Sequence, residues 1–287
     1  MSHSITITGS STALFSTWFL VEPLGILFDC GEGVTSTLLQ KSRKVKKVFV
    51  THSDRDHVAG LLQFNQLNGR EGLQIYYPRD CGSFPALADF TSKFDPHTVV
   101  TEWLPLEPGE EVDIRNGISV ITVENEHVPK KDERLVKSLS FTILQKKKKL
   151  KAEYSGLAGP KIGELRKTLG DDQLFDEVTE KLLTYSGDTP VAKDGRYNGS
   201  KILIHESTFL TKVEVGGAES ERNLHSSLDE VMEMVAEAKI ENLILTHFSS
   251  RYSDEEIKEA VEREKLRCGV GVPIQIVFPR QLFRAEI

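Results

Sequence analysis

The residues best suited to chemistry are concentrated in residues 51–57. This stretch holds two histidines and two aspartates within six positions, namely His52, Asp54, Asp56 and His57. Imidazole nitrogens and carboxylate oxygens are ligands that zinc, manganese and iron take in proteins. A polar turn between a strand and a helix, with an aspartate as helix cap, is the alternative explanation. The density of ligand groups favours a metal site.

Histidines outside this stretch also follow short β-type runs or lie beside acidic residues. They are His127, His205, His225 and His247. Loops that follow strand ends are where functional sites are commonly assembled. Taken alone, His127 is typical of a surface histidine, and His205 is typical of strand-end packing, so we assign His205 no catalytic role.

The elements that must position these side chains alternate between strands and helices. Strands are predicted over residues 4–8, 18–21, 25–29, 47–51, 73–77, 99–104, 111–114, 118–125, 138–145, 182–185, 201–204, 243–246 and 274–278. Helices are predicted over residues 34–39, 58–67, 84–94, 227–238 and 254–267. Runs of strands followed by helices, twice over, predict an α/β fold of two sheets packed face to face with helices outside.

Residues 146–172 differ from the rest of the chain. They begin with four lysines, Lys146, Lys147, Lys148 and Lys149, and continue through a Gly-Pro break into a polar, Lys-rich helical pattern. We predict a protruding insertion in a single domain of residues 1–287. A charge run of this kind is most often a solvated surface, and a phosphate-binding surface is the alternative.

Composition restricts the class of protein. The chain has 287 residues and a formal net charge of −7, which disfavours broad nonspecific binding to nucleic acid but permits a local basic patch. No apolar run approaches the roughly 20 residues that span a bilayer. The N-terminus lacks the pattern of a secretory signal, and the few cysteines are typical of reduced thiols. The sequence therefore predicts a cytoplasmic protein without a membrane anchor.

Residues 52–57 resemble the His-x-His-x-Asp-His motif of the metallo-β-lactamase superfamily. Asp54 stands where the family has its second histidine. A carboxylate still binds a divalent metal but is a harder ligand, which brings manganese or iron into consideration beside zinc. Further segments resemble the family's other motifs, in the family's order: FDCGEG (28–33), EHVP (126–129), YSGDT (185–189) and LTHF (245–248).

This resemblance implies an αββα sandwich and a site for two divalent metal ions. By resemblance, the first ion takes His52, Asp54, His127 and Asp188. The second takes Asp56, His57, Asp188 and His247. Asp29 is expected to orient a ligand histidine without itself binding a metal.

Two segments narrow the resemblance to the ribonuclease Z branch of the superfamily, IHESTF (204–209) and LHSS (224–227). The branch implies hydrolysis that removes the 3′ trailer of pre-tRNA and leaves a 3′-hydroxyl. Asp56 would take a proton, and His225, oriented by Glu206, would protonate the leaving oxygen or stabilise the phosphorane. Family members are usually homodimers.

The same branch carries an RNA-gripping arm in the interval that residues 146–172 occupy. Its four lysines would meet phosphates, as would Ser249, Ser250 and Arg251 near the last metal ligand. The Gly-Tyr pair that usually follows the third motif is absent, and KSLSF (137–141) stands in its place.

Two other functions remain open at this point. The first is another hydrolase on the same scaffold, such as a cyclic-nucleotide phosphodiesterase or an arylsulfatase-like enzyme, which would need no arm. The second is a non-catalytic nucleic-acid-binding protein that keeps the fold and holds no stoichiometric metal.

Overall fold

The structure is a computed structural model that describes residues 5–94, 101–217 and 224–287. The strands of the first half are β1 (Thr6–Thr12), β2 (Ser16–Val21), β3 (Ile26–Phe28), β4 (Lys47–Phe49), β5 (Gln74–Pro78) and β6 (Glu102–Leu106). The helices between them are α1 (Val34–Leu38), α2 (Arg55–Val58), α3 (Leu61–Asn68) and α4 (Ser83–Phe94).

The second half repeats this mixture of strands and helices. Its strands are β7 (Glu111–Arg115), β8 (Ile118–Glu124), β9 (Leu139–Leu150), β10 (Phe175–Tyr185), β11 (Ser200–Glu206), β12 (Asn242–Thr246), β13 (Ile274–Ile276) and β14 (Phe283–Glu286). Its helices are α5 (Gly159–Leu169), α6 (Asp171–Leu174), α7 (Lys212–Gly217), α8 (Leu228–Glu237) and α9 (Asp254–Cys268).

The described strands form two mixed sheets. The first has the order β14-β1-β2-β3-β4-β5-β6, and the second has the order β13-β12-β11-β10-β9-β8-β7. In the first sheet, neighbours from β14 to β3 are antiparallel and those from β3 to β6 are parallel. In the second sheet, β7 to β10 are antiparallel and β10 to β13 are parallel. Both sheets therefore contain a run of parallel strands whose carboxyl ends share one edge.

Apolar side chains alternate along the strands and build a core on each face. In β3, Phe28 faces the cluster between the two sheets, whereas Leu27 faces the cluster beneath α1, α3 and α4. In β11, Ile204 lies between the sheets and Leu203 lies against α8 and α9. This period of two is what a strand buried on both faces requires. The predicted αββα sandwich is confirmed.

The helices of the outer layers are short and amphipathic. Of the helices in the described ranges, none is both long and apolar enough to cross a lipid bilayer. The helix predicted over residues 58–67 is in fact two helices, α2 and α3, that meet at Gly60. A Cβ at Gly60 would fall inside van der Waals contact with the carbonyl oxygen of Gly31. The chain bends there because only glycine allows this approach.

Other boundaries also differ from the prediction. The strand predicted over 99–104 begins outside the described residues, and β6 covers Glu102–Leu106. Helix α7 and strand β14 were not predicted, because neither has a strong local sequence pattern. β14 forms because it pairs with β1, with Ile7 opposite Ala285, and such long-range pairing leaves little signal in a short sequence window.

The Lys-rich segment begins as a strand. The strand predicted over 138–145 continues through all four lysines to Leu150, and the strand predicted over 182–185 begins at Phe175. Together β9 and β10 form a long antiparallel ribbon, capped by α5 and α6. Lysine runs have low β-propensity, and here acidic side chains stabilise the ribbon. Glu180 lies 2.9 Å from Lys147, and Asp171 lies 2.7 Å from Lys148.

Candidate metal centre

Strand ends from both sheets converge at one edge of the sandwich. Asp29 follows β3, and residues 52–57 follow β4 in the first sheet. Asp188 follows β10, Glu206 ends β11 and His247 follows β12 in the second sheet. Because β10, β11 and β12 are parallel, their carboxyl ends bring these side chains together.

Asp188 is at the centre of the cluster. Its Oδ2 lies 3.2 Å from Nε2 of His57 and 3.2 Å from Nε2 of His247. Oδ2 of Asp56 lies 3.2 Å from the same atom of His247. These four buried residues present ligand atoms that lie within 4.8 Å of one another. They are the residues expected to hold the second metal ion.

A second group shares Asp188 and contains His52 and His127. The ligand atoms of these three residues also lie within 4.8 Å of one another. Oδ2 of Asp54 lies 3.5 Å from Nε2 of His127 and 3.7 Å from Nε2 of His52. Asp54 precedes the first residue of α2 but makes no side-chain capping hydrogen bond. The carboxylate is therefore directed at the two histidines, where the first metal ion is expected.

The donor atoms fit metal ions on their own chemistry. The buried Nε2 atoms of His52 and His127 have no hydrogen-bond partner among the described residues. An unpaired buried nitrogen is costly unless something binds its lone pair. Burial and the neighbouring His57 and His127 lower the pKa of His52 well below its usual value. A neutral imidazole with a free lone pair is the form that binds a metal.

Asp29 orients the ligands of the first half. Its Oδ2 lies 2.8 Å from Nδ1 of His57 and accepts a 2.6 Å hydrogen bond from the Tyr185 hydroxyl. The backbone N–H and the hydroxyl of Thr51 also donate to Asp29. Oγ1 of Thr51 in turn lies 2.9 Å from Nδ1 of His52. Asp29 thus fixes two histidine rings so that their Nε2 atoms face the cluster.

Glu206 is the corresponding buried carboxylate of the second half. Its Oε1 lies 3.1 Å from Nδ1 of His225. Its Oε2 accepts hydrogen bonds from the backbone N–H and the hydroxyl of Thr208. Oγ1 of Thr208 lies 2.8 Å from Nδ1 of His247. Nδ1 of His127 instead lies 2.7 Å from the backbone carbonyl oxygen of Leu224.

The pKa values of two side chains at the site are shifted in opposite directions. Burial alone would raise the pKa of Asp56, but the neighbouring His247 and His57 lower it to about 2. Burial alone would lower the pKa of His225, but Glu206 and Asp188 raise it to about 9. At neutral pH the site therefore presents an ionised carboxylate at Asp56 and a protonated imidazole at His225.

The residues expected to contact RNA lie farther out. Ser250 and Arg251 are exposed in the loop after His247. The Arg251 guanidinium lies over the ring of Phe209, 5.4 Å from its centroid, and Nε donates to Oγ of Ser249. Arg251 is thus held at the rim by an aromatic ring and a hydroxyl group.

The four lysines lie on the β9–β10 ribbon and not in the metal cluster. Lys146 pairs with Glu111 at 3.2 Å, in addition to the Lys147 and Lys148 pairs described above. Residues 146–180 contain eight basic and seven acidic side chains. The ribbon is therefore nearly neutral as a whole, and phosphates would have to compete with ion pairs that are already formed.

His205 is buried away from the cluster. Its Nδ1 contacts the backbone oxygen of Glu206, and its ring packs edge-on against Tyr197.

The roles of the Thr51 and Thr208 hydroxyls were not predicted. Their only sequence signal is that each threonine lies within a recognised motif, because the contacts they make join residues distant in the chain.

Comparisons with known proteins agree with this fold. A model of the beta-lactamase superfamily domain matches residues 25–168. The ribonuclease Z of Saccharolobus islandicus is 30% identical over 258 residues, which cover 82% of this chain and 83% of that protein. The chloroplastic tRNase Z of Arabidopsis thaliana is 28% identical over 275 residues, covering 90% and 72% respectively. The crystal structure of the short form of human tRNase Z has a TM-score of 0.62 at 17% identity and covers 97% of this chain and 98% of that one.

Proposed function

The chain belongs to the ribonuclease Z family of the metallo-β-lactamase superfamily, and from this premise we propose that it removes the 3′ trailer of pre-tRNA. The predicted family is thus confirmed. The observation that carries the proposal is the Glu206–His225 pair, whose Oε1 and Nδ1 atoms lie 3.1 Å apart. The carboxylate of Glu206 stabilises a charged imidazole whose Nδ1 lies 3.9 Å from Oδ2 of Asp188. An acid next to the metal ligands can protonate the leaving oxygen of a phosphodiester.

Two divalent ions are proposed, one held by His52, Asp54, His127 and Asp188, the other by Asp56, His57, Asp188 and His247. Zinc is the first expectation, with manganese or iron favoured more than usual because Asp54 is an oxygen ligand. When bound, such ions would lower the pKa of water toward about 7 and polarise the phosphoryl oxygens as Lewis acids.

Asp56 is the proposed proton acceptor. Its Oδ2 accepts a hydrogen bond from the backbone N–H of Leu14 at 2.9 Å and lies 3.2 Å from Nε2 of His247. These contacts keep the carboxylate ionised and fix its direction. As the oxygen of water attacks phosphorus, Asp56 takes the proton that the water loses.

His225 is the proposed proton donor. Nδ1 is engaged by Glu206, so Nε2 is the atom that can reach the substrate. The bond from phosphorus to the ribose 3′-oxygen breaks, and the His225 proton passes to that oxygen. The tRNA then ends in a 3′-hydroxyl, and the trailer keeps the phosphate. Glu206 stabilises the charged form of His225 before the transfer.

The arm, the oligomeric state and the compartment are part of the same proposal. Residues 146–172, which run from the end of β9 through α5 into α6, would bind the body of the tRNA through backbone phosphates. We propose a cytoplasmic homodimer, with each arm available to a substrate bound at the partner subunit.

The test is an assay of metal-replete protein on pre-tRNA that carries a 3′ trailer, with both product ends mapped. We expect a tRNA with a 3′-hydroxyl and a trailer with a 5′-phosphate. Hydrolysis of bis-p-nitrophenyl phosphate without any cleavage of pre-tRNA would support another hydrolase on this scaffold. Purified protein without stoichiometric metal, measured by elemental analysis, would support a non-catalytic binding protein.

A further inference from the structure

Two adjacent apolar side chains are exposed beside the metal centre. Leu14 and Phe15, in the turn between β1 and β2, are 68% and 60% exposed. Single exposed apolar residues are common on protein surfaces and need no explanation. Two in succession at the rim of a polar site are less expected, because contiguous apolar surface usually marks a place of contact.

The turn is fixed to the metal centre by its backbone. The N–H of Leu14 donates to Oδ2 of Asp56 at 2.9 Å. The N–H of Ala13 donates to the carbonyl oxygen of Phe248 at 3.3 Å, next to His247. The backbone N–H of His247 itself donates to Oγ of Ser11 at the end of β1. The turn is therefore tied to two of the three segments that supply ligands to the second metal ion.

Backbone strain also points to a functional role for this turn. Leu14 has a φ of 70°, in the left-handed region that glycine occupies more easily. Strain of this kind costs of order 1–3 kcal/mol and persists where surrounding contacts enforce it, most often at functional sites. A glycine at this position would relieve the strain but would remove the apolar side chain.

We infer that Leu14 and Phe15 form a platform on which a nucleobase flanking the scissile phosphodiester stacks; this inference rests on the proposed function. The single-stranded 3′ end must pass the rim to place its phosphate between Asp56 and His225. Flexible single strands are recognised by stacking bases on exposed aromatic rings. Continuity with the metal centre favours a base of the substrate over a second protein chain.

The first experiment separates binding from chemistry. With Phe15→Ala we expect KM for pre-tRNA to rise about 5- to 100-fold, the range that loss of one base–aromatic stack gives. We expect kcat for pre-tRNA to change much less than KM, because the stack lies outside the reacting atoms, and Phe15→Tyr should retain the wild-type KM. Leu266→Ala is the control, because Leu266 is 82% exposed near the carboxyl-terminal end of α9.

A second measurement does not depend on cleavage. In Phe15→Trp, titration of the metal-replete protein with a short single-stranded oligoribonucleotide should quench the new tryptophan fluorescence, since a stacked base quenches an indole ring. Failure of the wild type to cleave pre-tRNA would overturn the proposed function, and the quenching would then decide on the platform separately. An unchanged KM in Phe15→Ala, no quenching at saturation, or a changed oligomeric state would overturn the platform.

Discussion

Thr208 makes the same two hydrogen bonds to Glu206 that Thr51 makes to Asp29. In each pair the threonine donates both its backbone N–H and its hydroxyl to the carboxylate. In each pair the same hydroxyl oxygen also lies within 2.9 Å of a histidine Nδ1, that of His52 or His247. Since the hydroxyl hydrogen points to the carboxylate, the oxygen can only accept from the ring. Both imidazoles are thereby held with Nδ1 protonated and Nε2 free for a metal.

This relationship predicts the effect of Thr208→Val. The valine preserves the volume but removes the oxygen that fixes His247, so we expect affinity at the second metal position to fall about 10- to 100-fold. Competition with a chromophoric chelator measures that affinity. Thr208→Ser is the matched variant and should bind metal as the wild type does. Equal affinity in the valine and serine variants would show that the hydroxyl group does not orient His247.

Asp54 should determine which metal the first position prefers. Replacing an oxygen ligand with a nitrogen ligand in Asp54→His should shift the ratio of zinc to manganese affinity toward zinc by about tenfold or more, the size that ligand-environment changes have. Metal competition followed by elemental analysis reports the ratio. Asp54→Ala provides the comparison, because it should weaken binding of both metals. If the histidine variant keeps the wild-type ratio, Asp54 is not a ligand.

Variants of His225 and Asp188 should distinguish a loss of catalysis from a loss of bound metal. We expect His225→Ala to retain its metal content but to lose about 10²- to 10⁴-fold in single-turnover cleavage, as removal of a proton donor does. Asp188→Ala should lose metal, because both ligand groups share that carboxylate. Elemental analysis and single-turnover kinetics on pre-tRNA give the two readouts. If His225→Ala cleaved pre-tRNA at the wild-type rate, His225 would not be the proton donor.

The segment at the end of the β9–β10 ribbon should contribute to the binding of large substrates and not to the hydrolysis of small ones. Replacing residues 151–174 with a tight turn leaves β9 paired with β10. We expect KM for pre-tRNA to rise while hydrolysis of bis-p-nitrophenyl phosphate stays the same, because the metal ligands all lie outside this segment. A filter-binding titration at several salt concentrations measures the lost phosphate contacts. An unchanged affinity for pre-tRNA would mean that the arm has another purpose.

Gly60 should be intolerant of any side chain. Because a Cβ there would meet backbone oxygens of Gly31 and Cys30, we expect Gly60→Ala to lower the free energy of unfolding by about 1–3 kcal/mol. Gly163 lies inside α5 and has no neighbour within 4 Å, so Gly163→Ala should raise it by about 0.5–1 kcal/mol. Urea unfolding of both variants at one metal concentration tests the pair. Equal midpoints would show that the bend at Gly60 relaxes freely.

Sequence patterns located the parts of the site that are local in the chain. Residues 52–57 could be predicted as metal ligands because all four ligand groups lie in one short segment after a strand. Asp29, Asp188 and His247 could be placed because the short segments around them resemble family motifs in the family's order. The resemblance to a family then gave the pairing between them.

What could not be predicted depends on contacts between distant residues. The hydroxyl of Thr208 and the ring of His247 are 39 positions apart, and no spacing rule relates them. The lysines of β9 form a strand because Glu180 in β10 and Asp171 in α6 pair with them, which local propensity does not register. The strained conformation of Leu14 depends on Asp56, which lies 42 positions away in the sequence.

The central position of Asp188 has a consequence for how the protein is produced. Each ligand group draws on both halves of the chain, so an unfolded chain offers at most the short segment at residues 52–57 to an ion. High affinity arises only after both sheets have closed on each other, and an ion that binds then stabilises the closed state by mass action. Metal ion added during refolding should therefore raise the fraction of chains that reach the closed state.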